Sequence, residues 1–476
     1  MDAFVTELMR RSPLATAVLD VCDYVFDRQL LEEVWQGHRG KCYDDKLLFP
    51  DFLRLMRDAL TRHGGSAHQL FVHLESRDAA PVDESNFYRK LARMPVALSR
   101  ALLRQCTQRL LPLMPATGTT TLPACFDDYQ VIVADGKAIK NVAKRLAPTR
   151  GYVGKLLGAK ALVAMDLRSG MAVAMNDTLD GMANEVPLVP GLMPQLHQLG
   201  GERPILSVWD RQFDDPATMR LMSGRDGDAF VVRMKHKNMP FAAESAVKTR
   251  DDKGREVVDE IGTLSSGKKA MRVRRVTLKR DAKAGEDDVV LLTNLTDRTR
   301  FAADDLLALY QKRWGIEQVF QQVTETFCLS HLIGCGPKAV LLQLAFCLLL
   351  YNVMQLVKAY VAQDGKVRPA VVSMHYLFDD ARTELKAWAY HTQGQWPSTR
   401  RDAAALRDRL RQLLTGSWNA KRYTKASDKN PRARPQDDKK KWLSGGHTSV
   451  QRAIEGKAKV VKRKKVVTRD KVMPIG

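Results

Sequence analysis

Tyr310-Gln-Lys-Arg313-Trp-Gly-Ile-Glu317 places a phenol, a guanidinium and a carboxylate at helical spacing. At about 100° per residue, Tyr310, Arg313 and Glu317 fall within about 60° of one another, while Val319 and Phe320 turn to the apolar side. Arginine clamps phosphate in a bidentate fork, and a carboxylate ligates a hard divalent cation. One stripe therefore carries the groups that a metal ion and a phosphate would both need. The same residues also describe a surface helix with an Arg–Glu pair four apart, so the rest of the chain must decide.

Two apolar runs supply further acids. Gln130-Val-Ile-Val-Ala-Asp135 reads as a buried strand closing on Asp135, followed by Gly136, Lys137 and Lys140. Pro204-Ile-Leu-Ser-Val-Trp-Asp210 is a second such run, followed by Arg211. Acids at the carboxyl ends of buried strands lie where open α/β sheets place ligand chemistry. Taken singly, each aspartate also fits a turn or a helix cap. Two strand-end acids with a glutamate on a later helix form a much rarer set.

Asp135, Asp210 and Glu317, with Tyr310 and Arg313 in Y-x2-R-x3-E spacing, resemble the DDE insertion-sequence transposases that bear the YREK signature (the insertion sequence four family). Leu291-Leu-Thr-Asn294-Leu-Thr-Asp297 is similar to the strand that precedes the signature helix. Gly181-Met-Ala-Asn-Glu185 is similar to the segment before the second aspartate, and Gly446-His-Thr-Ser-Val450 to a C-terminal motif of some members. The likeness runs from about residue 125 to 360. One letter departs from it. The signature lysine, seven residues after the glutamate, falls on Thr324, and the next base is Lys338. Either the Thr324 hydroxyl serves a phosphate there or another basic residue does.

The resemblance implies an α/β fold: an RNase H-like mixed five-stranded sheet with flanking helices, interrupted by a β-rich insertion. It also implies two Mg²⁺ ions, with Mn²⁺ as a substitute, held by Asp135, Asp210 and Glu317. The reaction would be cut-and-paste transposition, with cleavage at the element's ends, a hairpin intermediate and strand transfer into target DNA. Tyr310 and Arg313 would hold phosphates or an extruded base. Partners would be double-stranded DNA with terminal inverted repeats, target DNA and a second copy of the chain. A decayed or domesticated DNA-binding derivative is one alternative, with Thr324 as its motive, and another RNase H-like endonuclease is a second.

Composition agrees with a nucleic-acid partner. The 476 residues can bury a sizeable core, and 76 Lys and Arg against 54 Asp and Glu give a net charge of +22. Residues 431–476 hold 14 Lys and Arg against 4 Asp and Glu, a basic tail suited to phosphate. Seven cysteines form no paired framework, which suits a reducing cytoplasm, and the resemblance implies a bacterial, nucleoid-associated protein. Cys328, His331 and Cys335 offer three ligands without a CxxC partner, so no zinc site is expected there. The start, Met1-Asp-Ala-Phe-Val-Thr-Glu, lacks the apolar stretch of a secretory signal. Ala339 to Val357 approaches the length of a membrane span, but Gln343, Asn352 and Gln355 argue for a helix buried on a sheet.

Punctuation divides the chain further. Residues 1–122 read as a helical DNA-binding domain, with a break at Gly64-Gly65. Within it Asp83 is placed to cap Glu84–Arg93, a helix suited to a DNA groove or to an ordinary bundle. Residues 123–235 carry the first part of the core, with a hairpin over Lys160–Arg168 and Met171–Met175. Residues 236–287 form the insertion, introduced by Arg233, Lys235, His236 and Lys237. Of these Arg233, Lys235 and Lys237, together with Arg211, are expected to line the DNA path. Residues 288–372 return to the core with the glutamate helix, and 373–476 are helical and then basic.

Overall fold

The computed structural model describes residues 3–42, 46–115, 120–140, 142–235, 239–264, 270–280, 287–392, 396, 401–415, 420–423 and 446–458. Helices come first: α1 (Ala3–Arg11), α2 (Pro13–Val25), α3 (Arg28–His38), α4 (Phe49–Arg62), α5 (Ala67–Glu75), α6 (Glu84–Arg93) and α7 (Val96–Leu110). Side-chain caps start two of them, Asp27 accepting from the Leu30 amide and Ser66 from that of Gln69. Asp83 stands at the start of α6, but its carboxylate makes no capping hydrogen bond. Instead Phe87 and Leu91 fix α6 by burial, and Lys90 donates to the Leu47 carbonyl.

The middle of the chain alternates strands and helices: β1 (Gln130–Ala138), β2 (Lys155–Leu157), β3 (Lys160–Asp166), β4 (Met171–Thr178), α8 (Val189–Gly200), β5 (Ile205–Trp209), α9 (Pro216–Met222) and β6 (Ala229–Arg233). Then come β7 (Phe241–Arg250), β8 (Glu256–Leu264), β9 (Met271–Leu278) and β10 (Val289–Thr293). The remainder is α10 (Ala303–Lys312), α11 (Trp314–Glu325), α12 (Pro337–Asp364), α13 (Met374–Thr392), α14 (Ala403–Leu414), β11 (His447–Ser449) and α15 (Val450–Ile454).

Among the described residues, nine strands form one mixed sheet in the order β4-β3-β1-β5-β6-β10-β9-β8-β7. β1 runs parallel to β5 and β5 to β6, and all other neighbours are antiparallel. The insertion strands are therefore not a separate sheet, because β10 pairs with β6 on one side and β9 on the other. A buried fork secures the junction. Arg274 (1% exposed) grips both Asp259 oxygens at 2.9 and 2.7 Å and donates to the Phe301 carbonyl at 2.6 Å. Asn294 ties the end of β10 to the start of β6, accepting from Phe230 N and donating to Asp228 O, each at 2.9 Å.

Strand periodicity sorts side chains onto two faces. Val131, Val133, Leu206 and Val208 join a core shared with the N-terminal helices and α12, while Ile132, Ala134, Ile205 and Trp209 pack with α8 and α9. The helices of residues 1–122 thus share one hydrophobic core with the sheet. Helix α12 is long and apolar enough to cross a membrane, yet every residue from Ala339 through Ala362 is buried inside the fold. Its polar residues explain the fit. Asn352 exchanges hydrogen bonds with the Ala172 backbone and donates to Thr107, and Gln343 bridges the Ile333 amide to the His331 carbonyl.

The described cysteines are all free thiols. At the far end of the chain β11 pairs in parallel with β2, and the Gly181 amide donates to Ser449 Oγ at 3.1 Å. Arg452 binds Asp180 at 2.7 Å, and Val450 is fully buried. The motif Gly446–Val450 is accordingly part of the core rather than of the basic tail. Removing residues 459–476 should leave thermal unfolding unchanged. Removing 446–476 should cost at least about 2 kcal/mol through Val450 alone, seen as a lower Tm. Equal Tm values for the two truncations would show that the docked strand contributes nothing.

Candidate functional site

The site begins where two parallel strands part. β1 and β5 pair from Gln130↔Ile205 to Val133↔Val208. Two residues further along each strand lie Asp135 and Asp210, side by side and on the face of Val133 and Val208. β1 does not end at Asp135 as its apolar run suggests. It continues to Ala138 because β3 still pairs with it, Asp135↔Val163 through Ala138↔Lys160. Asp135 therefore sits on rigid strand, with one neighbour lost and one kept. Asp210 begins a short 3-10 turn, Arg211–Phe213, with Phe213 N donating to its carbonyl.

The helical stripe meets this point from above, although not as one helix. α10 and α11 join at Arg313, where Arg313 N bonds the Tyr310 carbonyl and Ile316 N bonds that of Arg313. These i→i−3 bonds tighten the turn, a geometry often found at functional junctions. Arg313 is 5% exposed and lies between the acids: Nη1 is 3.4 Å from Asp135 Oδ2 and Nη2 is 3.0 Å from Glu317 Oε1. The Tyr310 hydroxyl donates to Asp210 Oδ1 at 3.3 Å. The structure thus brings together all five residues expected from the sequence. Among the described residues, however, no three acids, histidines or cysteines are gathered tightly enough to grip one ion. Arg313 stands between Asp135 and Glu317.

Charge at the site is finely offset. Burial pushes the Asp135 carboxyl up to about 6, the Gly136 amide and Arg313 pull it down, and Asp210 and Glu185 push it up again. Burial works against the Arg313 charge, but Tyr310, Asp210, Asp135 and Glu317 together outweigh it and hold the proton more firmly. The Tyr310 phenol is raised, first by burial and then by Asp210. Arg313 Nε is buried without a hydrogen-bond partner. The donors are hard carboxylate oxygens, one of them a desolvated anion crowded by others, and this chemistry fits a hard divalent cation.

Two neighbours carry roles that their sequence context leaves open. Glu185 forms an ion pair with Lys160 at 3.2 Å and accepts from Gln212, which follows Asp210 by two residues. It packs over Gly136 so closely that an added Cβ would lie 2.2 Å from its Cδ. Any larger residue there would force the Glu185 side chain to move. Lys137 shares the face of Asp135 and reaches α11, where its Nζ is 2.9 Å from Thr324 Oγ1. The motif Gly181–Glu185 marks the first of these in sequence, but no local spacing reveals the second.

The expected DNA-path residues spread around the rim. Arg211 and Lys235 are exposed, and the Lys235 amide donates to buried Asp214. Arg233 ends β6 close enough for its charge to act on Tyr310. Lys237 and His236 lie outside the described residues.

Residues 126–353 match the family described as a transposase DDE domain. That segment contains Asp135, Asp210 and Glu317. Over 137 residues the chain is 29% identical to y4zB of Sinorhizobium fredii, a protein named as a candidate transposase, covering 28% of this chain and 37% of that protein. The chain thus spans little more than a third of this relative. A solved piggyBac transposase synaptic complex with hairpin DNA aligns over 89% of each chain at 13% identity. Its TM-score of 0.40 is too low to carry an argument. The matched domain and the named relative are both described as transposases.

The raised carboxyl of Asp135 gives a pH prediction. Its folded value of about 6 exceeds the ordinary value, so its contribution to stability is full below about pH 4 and is lost as pH rises through 6. At pH 8 without metal the ionised group costs the fold up to about 3 kcal/mol. Asp135→Asn should therefore melt higher than the native chain at pH 8 in EDTA, with the gap closing by pH 4. A gap independent of pH would contradict the assignment.

Proposed function

We propose that this chain is a DDE insertion-sequence transposase of the YREK-signature group, built on an RNase H-like core. One observation carries the reading: Asp135 and Asp210 lie side by side where parallel β1 and β5 diverge, and from the facing helices Arg313 joins Asp135 to Glu317 while Tyr310 binds Asp210. The strand order β4-β3-β1-β5-β6 supports the core assignment, with β7–β9 as the insertion that widens the sheet through β10. Residues 1–122 would read DNA, and the core would be split into 123–235 and 288–372. Residues 373–476 would end in a phosphate-binding tail. The enzyme would act as a dimer on the inverted repeats of its element in a bacterial nucleoid.

Asp135, Asp210 and Glu317 would hold two Mg²⁺ ions, or Mn²⁺, which supply charge stabilisation for in-line displacement at phosphorus. The protein's own part is to keep that site usable when empty. Arg313 neutralises the acids in the free enzyme, and its fork matches a phosphate equally well. As DNA enters, the guanidinium transfers from carboxylate to phosphate and frees Asp135 Oδ2 and Glu317 Oε1. Asp135, whose proton is held to about pH 6, would then be free to serve as one of the anionic oxygens that hold the cation. Tyr310 orients Asp210 and faces the same strand of DNA. Arg211, Arg233, Lys235 and Lys237 would guide the duplex along the rim. No side chain need act as a nucleophile, because the freed 3′-hydroxyl attacks the target.

The test is Mg²⁺-dependent nicking of a plasmid that carries the DNA bordering the gene. Asp210→Asn should abolish nicking, keep binding and weaken Mn²⁺ uptake in isothermal titration. Unchanged nicking by Asp210→Asn would overturn the reading. Arg313→Gln should separate the two jobs of the guanidinium. Mn²⁺ should bind more tightly without DNA, and the border duplex more weakly. Weaker binding of both would show that Arg313 only organises the acids.

A further inference from the structure

Lys137 stands two residues beyond Asp135 on β1, so both side chains leave the same face of the strand. Its ammonium spans to α11 and donates to Thr324 Oγ1 at 2.9 Å and to the Phe320 carbonyl at 3.4 Å. It also lies 5.4 Å from the centre of the Phe320 ring. The Thr324 hydroxyl donates to Phe320 O at 2.6 Å, so it meets Lys137 with its lone pairs and has no proton left for a phosphate. Of the two ways to fill the place of the absent signature lysine, a hydroxyl contact is thereby spent.

The setting of Lys137 is unusual for a lysine. It is half-buried, and among the described residues it forms no ion pair. A cation taken from water without a counter-ion is costly, and neutral acceptors recover only part of the loss. Two of its three N–H groups are engaged and one remains. That free donor shares the face with the acids where a polyanion would supply the missing counter-charge.

We propose that Lys137, seated on Thr324, is the phosphate-binding lysine of this site and contacts the DNA strand that crosses Asp135 and Glu317. The contact comes from the strand, and Thr324 positions it from the helix. The inference rests on the transposase reading above. A purely structural lysine that satisfies the end of α11 would behave differently, because its loss would change stability rather than salt dependence.

The experiment measures binding of the full chain to a duplex from the gene's borders, in EDTA, across a range of salt. Lys137→Met should flatten the plot of log affinity against log salt by about 0.9, the share of one phosphate contact. Thr324→Val should weaken binding while keeping the slope, since it removes the seat and not the charge. The double exchange Lys137→Thr with Thr324→Lys should restore the native slope by returning the ammonium from the helix side. An unchanged slope in Lys137→Met, in a chain whose native form nicks DNA, would overturn the role of Lys137 and leave the transposase reading intact. A native chain that neither nicks nor binds the duplex would overturn both. If Lys137→Met does not fold, Lys137→Arg decides: it should keep the slope, and a slope flattened by about 0.9 would refute the contact.

Discussion

The site depends on one guanidinium. Asp135 and Asp210 are forced together by the register of β1 and β5, and Glu317 is brought above them by the turn at Arg313. Asp135 and Asp210 repel one another, and burial makes the repulsion stronger. Arg313, almost wholly buried, binds two of the three acids directly and is linked through Tyr310 to the third. Its removal would leave a cluster that must either protonate or spread. Arg313 thereby offsets the charge of the acids on either side of it.

This arrangement needs rigid neighbours. Behind the sheet, α12 gives an apolar floor whose buried amides Gln343 and Asn352 bond the adjoining elements. At the side, the Arg274–Asp259 fork ties β9 to β8 and, through the Phe301 carbonyl, to the segment that leads into α10, while Asn294 ties the end of β10 to β6. The extra strands lengthen the sheet without disturbing the point where β1 and β5 part. Variation in the insertion is thus mechanically separated from the acids.

What could be read from the sequence divides along physical lines. Tyr310, Arg313 and Glu317 were legible because helix phase is a local property, and it survives the tightened turn at Arg313. Asp135 and Asp210 were legible because apolar runs end where solvent or a ligand begins. The continuation of β1 to Ala138 was hidden, since it depends on pairing with β3 rather than on any preference of Gly136 or Lys137. The joining of β7–β9 to the main sheet was hidden for the same reason: sequence marks strands, and neighbour order is set by packing. Asp83 had the right residue type for a cap, yet burial of Phe87 and Leu91 placed α6 without it. Glu185 lay in a recognisable motif, but its influence on Asp135 appears only once β4 and β5 stand on either side of β1 and its neighbours.

Gly136 shows how closely these constraints interlock. It sits between Asp135 and Lys137, which face α11, so the missing side chain points to the opposite face, where Glu185 fills the gap. From there Glu185 is held by Lys160 on β3 and by Gln212 beyond Asp210. A single glycine thus lets an acid on one face of the strand raise the proton affinity of an acid on the other. With Lys137 on Thr324 two residues along, three consecutive positions of β1 tie the strand to the helix above, the loop below and the neighbouring strand. The charges on both sides of the backbone are then set by one short stretch of chain, whose freedom to vary is limited by strand pairing before chemistry is considered.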